Sequence, residues 1–500
     1  MSYNTALTKV RWGKILIDAC NSFRNAESEL NERVLRVEAR WIQVEAQVIL
    51  VKKLAPTLED EHQNIHDRTL AILSSKLQLA HSRIEAVKKK NDNRTVVQKH
   101  TCTDIKRWKY VLKKDSLDHA IKELEEWQRI FDPSWYLIIK AATPQIDVEL
   151  ARYHGKKTSQ PFSSANSLRL AVRDVGRNGP PIWLREDGLK DCVLEDIPFS
   201  LARLSHRLPP NRPYILDPVS CPPDYPPDVF TKDVRDLARK LLKAEPGTFG
   251  LLNCKGVIQY ANRDCPLSYT FVFKVPDGLS EPKSLRSILL SPTQSHSLSD
   301  RFKLANDLAK SVFYVHTFGF VHKNISPETV LVLTNQETSL GNAFLVGFQQ
   351  MRGAERHSIR LSDDAWERNL YRHPSRQGYN PNVDYIMQHD IYSLGVCLLE
   401  LGLWKSFISY DANDDAMQTD SLDLPNKIIE LRQAPMLKDH LVSLAQDHLP
   451  SAMGTRYAKI VETCLTCLDE DNVDFGDRRE FQDEDGILVG VRYIEKVRHL

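Results

Sequence analysis

The segment FVHKNISPETVLVL, from Phe320 to Leu333, contains a polar loop between two apolar runs. Side chains of this loop could perform acid–base chemistry. His322 and Asn324 lie at its start, and Ser326 and Thr329 follow. A carboxylate at the position of Asn324 could accept a proton from a hydroxyl group. An asparagine amide has no ionisable acceptor and cannot act as a general base at neutral pH. Position 324 therefore supplies no general base.

Composition bounds the class of protein. The chain has 500 residues, which at roughly 150 residues per domain predicts two or three domains. Lysine and arginine number 67 against 66 acidic residues, and this balance argues against a general affinity for nucleic acid. Nine cysteines, an odd number, and no secretory signal favour a reduced, cytoplasmic protein. No apolar run reaches ~18 residues, so no constitutive transmembrane helix is predicted.

One pair of cysteines, Cys464 and Cys467, has the CxxC spacing of metal and redox sites. The pair lies in an apolar, helical pattern, YAKIVETCLTCL, and no second CxxC or histidine pair accompanies it. Burial in a protein core is therefore the preferred interpretation, and no metal site is predicted.

Residues 1–152 carry the periodicity of amphipathic helices. Apolar residues recur at spacings of three and four, which places them on one face of a helix. The three stripes consist of Leu30, Val34, Val37, Trp41, Val44, Val48 and Val51; of Leu70, Leu73, Leu77, Ala80, Ile84 and Val87; and of Leu117, Ile121, Leu124 and Phe131. Pro56 ends the first helix, and residues 10–23 form a further candidate helix. This pattern predicts a helical bundle, with a coiled-coil homodimer as the alternative.

A basic segment from Lys88 to Lys114 is the strongest local charge feature. Its basic residues are Lys88, Lys89, Lys90, Arg94, Lys99, Lys106, Arg107, Lys109, Lys113 and Lys114, against Asp92 and Asp104. The simpler interpretation is a solvated helix face. The alternative is a surface for anionic lipid or an acidic protein partner, since each basic residue near a charged membrane contributes about 1 kcal/mol. Trp108 and Tyr110 are too few aromatic residues for a single-stranded nucleic-acid site.

The composition changes after residue 152. Residues 153–181 are rich in serine, glycine, asparagine and proline, which predicts a linker. Beyond it, the runs PYILDPV, GLLNCKGVIQY and LSYTFVFKVP predict a small sheet. The segments 301–317 and 390–403 predict helices, and the second is apolar on nearly all sides and must be buried. The whole sequence therefore predicts an α+β multidomain protein with an all-α first part.

Six segments in order make residues 182–500 resemble a eukaryotic protein kinase domain. They are LSYTFVFKVP, PKSLRSIL, RFKLANDLAKSVFYVHTFGFVHKNISPETVLVL, AFLVGFQQMR, YRHPS and DIYSLGVCLLEL. The resemblance implies a bilobal fold, with a small lobe over about 182–277 and a large lobe over about 278–500. Some fungal proteins carry such a domain behind a HeLo-like helical domain. Residues 1–152, with the stretch LEEWQRIFDPSWYLI, resemble that helical domain.

The resemblance also implies that the catalytic groups are missing. A kinase loop supplies an aspartate as general base, a lysine two residues later, and an asparagine that holds metal. The matching positions here are Asn324, Ser326 and Thr329, and Gly347 matches the magnesium-binding aspartate of the Asp-Phe-Gly motif. We therefore expect weak or absent binding of ATP and magnesium, with no catalytic, cofactor or metal site.

The remaining kinase positions separate scaffold from chemistry. No G-x-G-x-x-G stands ahead of the strands, and PYILDPV places Asp217 near the position of the phosphate-binding lysine. The helix DVRDLARKLLKA has Asp233 and Asp236 where kinases supply a glutamate. His322 and Asp390 match residues that support the catalytic loop, so both are interpreted as structural.

Three functions from different classes follow. The preferred one is a catalytically inactive pseudokinase that binds a protein partner and controls the helical bundle; the resemblance implies a part in fungal nonself recognition or regulated cell death. The second is a membrane-disrupting protein of the HeLo type, peripheral at an anionic membrane, although the very apolar opening segment of many HeLo-like domains is missing. The third is an atypical ATP-dependent kinase with relocated carboxylates, for which the candidates are Asp300, Asp307, Asp363 and Asp364.

Overall fold

The chain divides into two compact units, Met1–Arg169 and Leu170–Leu500. The computed structural model describes residues 4–21, 28–54, 60–92, 110–127, 147–148, 169, 181–189, 192–207, 213–222, 225–260, 267–291, 296–334, 340–353, 365–377, 383–411, 416–419, 434–472 and 474–475. The predicted linker 153–181 lies almost entirely outside these ranges. The described part of the first unit is helical, and the second unit contains helices and mixed sheets, so the chain is an α+β protein as predicted.

The described part of the first unit contains the helices α1 (Asn4–Asn21), α2 (Ser28–Leu54), α3 (Asp60–Asp92) and α4 (110–127). Helix α2 ends two residues before Pro56, as predicted. Helix α1 packs against both α2 and α3. Helix α4 is joined to α2 by an ion pair of 2.8 Å between Arg33 and Asp118, and to α3 by one of 2.9 Å between Lys76 and Glu123.

The predicted apolar stripes form the core of this unit. Every stripe residue whose side chain the structure describes is buried, and Trp41 on α2 is 3 % exposed. The side chains of Val51, Val87 and Phe131 lie outside the described part. Since a buried Val or Leu side chain stabilises a fold by roughly 1.5–3 kcal/mol, the stripes supply the main driving force for packing these helices.

The second unit begins with a six-stranded sheet. Its strands are β1 (Trp183–Leu184), β2 (Cys192–Asp196), β3 (Arg203–Arg207), β4 (Tyr214–Ser220), β5 (Cys254–Tyr260) and β6 (Ser268–Lys274), in the order β1-β5-β6-β4-β3-β2. The pair β1–β5 is parallel and the other pairs are antiparallel. The three β-type runs of the sequence are thus β4, β5 and β6. Between β4 and β5 lie the helices α5 (Pro227–Leu241) and α6 (Pro246–Phe249).

Helices dominate the rest of this unit. In chain order the elements are β7 (Ser280–Ser284), α7 (Leu285–Leu290), α8 (Leu298–Thr317), β8 (Phe320–Val321), β9 (Val330–Thr334), β10 (Asn342–Leu345), β11 (Arg352–Gly353), α9 (Trp366–Asn369), α10 (Met387–Leu403), β12 (Ile408–Tyr410), β13 (Ala416–Gln418), α11 (Ala434–Met453) and α12 (Thr455–Leu465). Every residue of α10 from Gln388 to Gly402 is buried, because α8, α11 and α12 all pack on it. The sequence-based prediction of a buried helix here is confirmed.

Two strand pairs bring the polar loop of the sequence to the centre of this unit. Strand β9 pairs antiparallel with β10, and β8 pairs antiparallel with β11. The loop between β8 and β9, residues 322–329, therefore lies beside the turn between β10 and β11, residues 346–351. These two segments carry His322, Asn324, Ser326, Thr329 and Gly347, five of the residues that the kinase resemblance singled out.

Candidate functional site

A cavity of about 810 Å³ lies at this junction. Asn324, Ser326, Thr329, Gly347 and Gln349 line one side of it. The predicted site residues of the loop and of the turn are therefore brought together, although sixteen residues, 330–345, separate the two segments in the chain.

Asp217, on β4, is fully buried against the turn. Its Oδ2 accepts hydrogen bonds from the backbone N–H groups of Gly347 (2.9 Å) and Phe348 (3.1 Å). Its Oδ1 accepts one from the Nε2 of Gln349 (3.2 Å). Burial raises the pKa of Asp217 to about 6, although the two backbone N–H groups act in the opposite direction. The carboxylate thus ties β4 directly to the β10–β11 turn.

Gln349 links Asp217 to Asn324. The Nδ2 of Asn324 donates to the Oε1 of Gln349 at 2.9 Å and to the carbonyl of Gly347 at 3.4 Å. The side-chain amide nitrogen of Gln349 faces the Asp217 carboxylate, so the amide oxygen of Gln349 must face Asn324. In this series of three side chains, each donor nitrogen meets an acceptor oxygen. We call Asp217, Gln349 and Asn324 the amide relay. Sequence analysis missed Gln349; its position directly after Gly347 and Phe348 is the signal that could have identified it.

Thr329 holds the loop in place by hydrogen bonds to its backbone. It is 6 % exposed, its Oγ1 lies 2.9 Å from the carbonyl oxygen of Asn324, and it accepts the N–H of Ser326 at 3.1 Å. Gly347 lies against it in a left-handed conformation, with φ of +84°. A Cβ atom on Gly347 would come within 2.4 Å of the Thr329 Cγ2. The side chain of Thr329 therefore occupies the space into which any side chain at position 347 would project.

Gly347→Ala should lower the free energy of unfolding of the second unit more than a matched glycine substitution does. Gly278 has a similar φ of +80° but open space around it, so Gly278→Ala isolates the backbone strain of about 1–2 kcal/mol. Gly347→Ala adds the clash with Thr329, which we expect to cost a further 1–3 kcal/mol or so. Hydrogen exchange of the α10 amides measures both losses. Equal losses for the two variants would show that Thr329 yields without penalty.

His322 and Asp390 support the loop. The Asp390 carboxylate, fully buried, accepts the backbone N–H groups of His322 (2.8 Å) and Lys323 (2.9 Å) and the hydroxyl of Tyr385 (2.6 Å). Burial alone would raise the pKa of Asp390, but its interactions with His316, His322 and Tyr385 together outweigh burial, and the pKa falls to about 2. The structural interpretation of both residues agrees with these contacts.

The ring of His322 is neutral. Its Nε2 lies 3.0 Å from the carbonyl oxygen of Val346, to which it donates, and burial lowers its pKa to about 4. A histidine with this pKa links the loop to the turn as a neutral hydrogen-bond donor, and its protonation state does not change near pH 7.

Lys323 is a cavity residue that the sequence analysis did not single out. It adopts a left-handed φ of +65°. Burial and, to a smaller extent, the nearby guanidinium groups of Arg352 and Arg376 together lower its pKa to about 7. These arginines are 29 and 53 residues away in the chain, so their proximity could not be deduced from the local sequence.

The cavity floor contains a buried ion-pair cluster. Arg286, on α7 and fully buried, donates to Glu400 (2.7 Å) and to Glu328 (2.8 Å) and also contacts the hydroxyl of Tyr371. Tyr371 in turn donates to Glu400 at 2.7 Å. Burial alone would raise the pKa of Glu328, but Arg286 holds it below its ordinary value. We call these four residues the Arg286 cluster; the sequence did not predict it.

The two candidate replacement carboxylates that the structure describes, Asp300 and Asp307, lie on α8. Asp300 lies in the first turn of α8, where Ser297 caps the helix, and Asp307 faces Lys310 on the same helix at 3.5 Å. Neither residue lines the cavity. Asp363 and Asp364 lie outside the described residues.

Asp233 and Asp236 lie on α5. Asp233 is 2 % exposed and accepts a hydrogen bond from the hydroxyl of Tyr225 at 3.2 Å. Asp236 forms an ion pair of 3.0 Å with its neighbour Arg235. Both carboxylates therefore have local partners.

The CxxC cysteines are core residues. Cys464 and Cys467 are fully buried, and burial raises the pKa of Cys464 to about 12. Cys467 lies just beyond the end of α12 and contacts the carbonyl oxygen of Gln388 at 3.2 Å. The part of the chain that the structure describes contains no group of three or more His, Cys, Asp or Glu residues that could hold a metal ion.

Most of the basic segment lies outside the described part. Lys88, Lys89 and Lys90 belong to α3, but their side chains are not described, and the five basic residues from Arg94 to Lys109 fall outside the ranges. Lys113 and Lys114, on α4, are half-buried. The lipid or acidic-partner surface thus stays a prediction. None of the helices that the structure describes is long and apolar enough to cross a membrane.

No protein-family model fits this sequence, and no curated protein sequence is significantly similar to it. The chemistry of the cavity must therefore be deduced from its own residues. At its centre, the described side chains form a chain of amide and carboxylate hydrogen bonds in which Asn324 donates and cannot accept a proton.

Proposed function

We propose that the second unit, Leu170–Leu500, is a kinase-like domain of bilobal fold that has lost phosphoryl transfer, and that it acts as a signalling pseudokinase. The amide relay carries this proposal. Its members hold the positions that the kinase resemblance assigns to the phosphate-binding lysine, to the general base and to the residue two places after the metal-binding aspartate. In a phosphotransferase the first two of those positions supply positive charge and a base, and the aspartate two residues before the third holds magnesium.

The charge and the space at these positions support the same conclusion. Asp217 places a carboxylate where an anionic phosphate would need a cation, and it already accepts the N–H groups of Gly347 and Phe348. Position 347 has no room for the carboxylate that would hold magnesium, because Thr329 fills it. Both the attraction for nucleotide and the stabilisation of transferred charge are therefore lost.

The first unit is then the part that the pseudokinase controls. We infer that it is a HeLo-like helical bundle and that a protein partner, bound by the kinase-like domain, shifts the activity of the bundle. A partner can shift such an equilibrium only by its differential affinity for the two states. Fungal nonself recognition and regulated cell death are the processes that the resemblance implies.

The full chain should show no stabilisation by magnesium and ATP. With about 1 mM nucleotide and a dissociation constant above 1 mM, linkage gives less than about 0.4 kcal/mol. The thermal unfolding curve should therefore be the same with and without magnesium-ATP. Asn324→Asp should still transfer no phosphate to a test substrate, because position 347 stays empty of a metal ligand. A clear rise in melting temperature, or transfer by that single variant, would favour the atypical kinase instead.

A further inference from the structure

The turn between β2 and β3, residues 197–202, forms a wall of the cavity. Ser200, Leu201 and Ala202 line it from this side, and Tyr410 of β12 lines it from another. Between them, the ring of Phe199 stacks on the ring of Tyr410, with centroids 5.0 Å apart and planes at 27°. An aromatic contact thus joins the edge of the six-stranded sheet to the β12–β13 hairpin.

A hydrogen bond joins the same turn to the start of α7. The hydroxyl of Ser284 donates to the carbonyl of Pro198 at 2.6 Å. The Oγ of Ser284 also accepts the N–H of Ser287, so Ser284 is the N-cap of α7. Ser284 is fully buried, so its hydrogen bond fixes the Pro198 carbonyl to a rigid part of the unit.

The Tyr410 side of the contact is also rigid. Its hydroxyl donates to the Oε1 of Glu328 at 3.0 Å, and Glu328 belongs to the Arg286 cluster. If the two aromatic rings separate, the element that moves is therefore the turn and not β12.

The turn itself carries strain, although a hydrogen bond from the Ser200 N–H to the Ile197 carbonyl closes it at 3.0 Å. Phe199 has a left-handed φ of +56°, which costs an aromatic L-residue about 1–2 kcal/mol, and its side chain is 38 % exposed. Leu201 is 67 % exposed. A strained conformation at a cavity wall persists only while its surroundings hold it, and here the contacts with Tyr410 and Ser284 add to the hydrogen bond within the turn.

We propose that Phe199 and Tyr410 form a clasp that holds the β2–β3 turn over the cavity, and that release of this clasp opens the cavity to a ligand. The clasp is an autoinhibitory contact, because Phe199 of the turn covers the ring of Tyr410, a residue that lines the cavity. This inference rests on the proposed function only for its biological role, and the contacts that carry it are independent of nucleotide binding.

Hydrogen exchange of the full chain tests the clasp. Phe199→Asn removes the ring and keeps a residue that tolerates a left-handed φ, while Tyr410→Ala removes the other ring. Each should speed exchange in the peptide that covers residues 197–202 about five-fold, in line with the loss of one aromatic pair. The double variant should exchange no faster than the faster single variant, because both single variants remove the same contact.

Val193→Ala is the matched control, since Val193 lies on β2 of the same hairpin and is 55 % exposed. It should leave the exchange of residues 197–202 unchanged. Unchanged exchange in Phe199→Asn, which keeps Tyr410 and its bond to Glu328, would overturn the proposal. Additive effects in the double variant, or an equal effect of the control, would overturn it as well. Binding of magnesium-ATP would defeat the proposed function without altering this readout.

Discussion

Arg286→Met should lower the free energy of unfolding of the second unit by about 3–5 kcal/mol. The substitution keeps a long apolar side chain at this fully buried position but removes the guanidinium that faces Glu400 and Glu328. Glu400 is fully buried, so its carboxylate would be left without a cation in a region of low dielectric. Hydrogen exchange of the α10 amides measures the loss, since these amides open only when this core unfolds.

Two further variants test whether charge is the cause. Adding Glu400→Gln to Arg286→Met should recover part of the stability, because the amide oxygen can still accept the N–H of Phe407 without a buried charge. Arg203→Ala breaks an ion pair with Asp196 in which both side chains are more than half exposed, and it should change the stability by less than about 1 kcal/mol. Similar losses for Arg203→Ala and Arg286→Met would contradict the explanation.

Gly13→Ala should destabilise the first unit by about 3 kcal/mol. Helix α1 approaches α2 so closely at this point that a Cβ atom on Gly13 would lie 1.9 Å from the Cζ2 atom of the Trp41 indole. Trp41 is 3 % exposed and cannot turn away into solvent without leaving the core. Hydrogen exchange of the α2 amides measures the loss.

Rescue from the other side of the contact decides whether the clash is responsible. The three atoms nearest to Gly13 are Cζ2, Cη2 and Cε2 of the Trp41 ring. Trp41→Phe removes all three, so Gly13→Ala should cost clearly less in that background than in the natural chain. If the cost is the same in both backgrounds, the loss comes from the helix itself and not from Trp41.

Local patterns were enough to identify the long helices and three of the strands. The stripes of α2, α3 and α4 could be read because side chains three and four residues apart share a helix face, whatever the rest of the chain does. For the same reason the buried α10 and the strands β4, β5 and β6 were predictable from runs of apolar residues. Asn324, Thr329, Gly347 and Asp217 could be singled out by residue type and position, and the structure brings all four to one junction.

The tertiary structure decided which hydrogen-bond and ion-pair partners the buried polar residues have. Asp217 and Gln349 are 132 residues apart, and Arg286 and Glu400 are 114 residues apart, so no local periodicity connects them. The sequence alone presented Asp217 as a misplaced negative charge and left Gln349 and Arg286 unremarked. Only the packing of β4 on the β10–β11 turn reveals the carboxylate as an acceptor for two backbone N–H groups, because burial obliges each such polar group to find a partner across the fold.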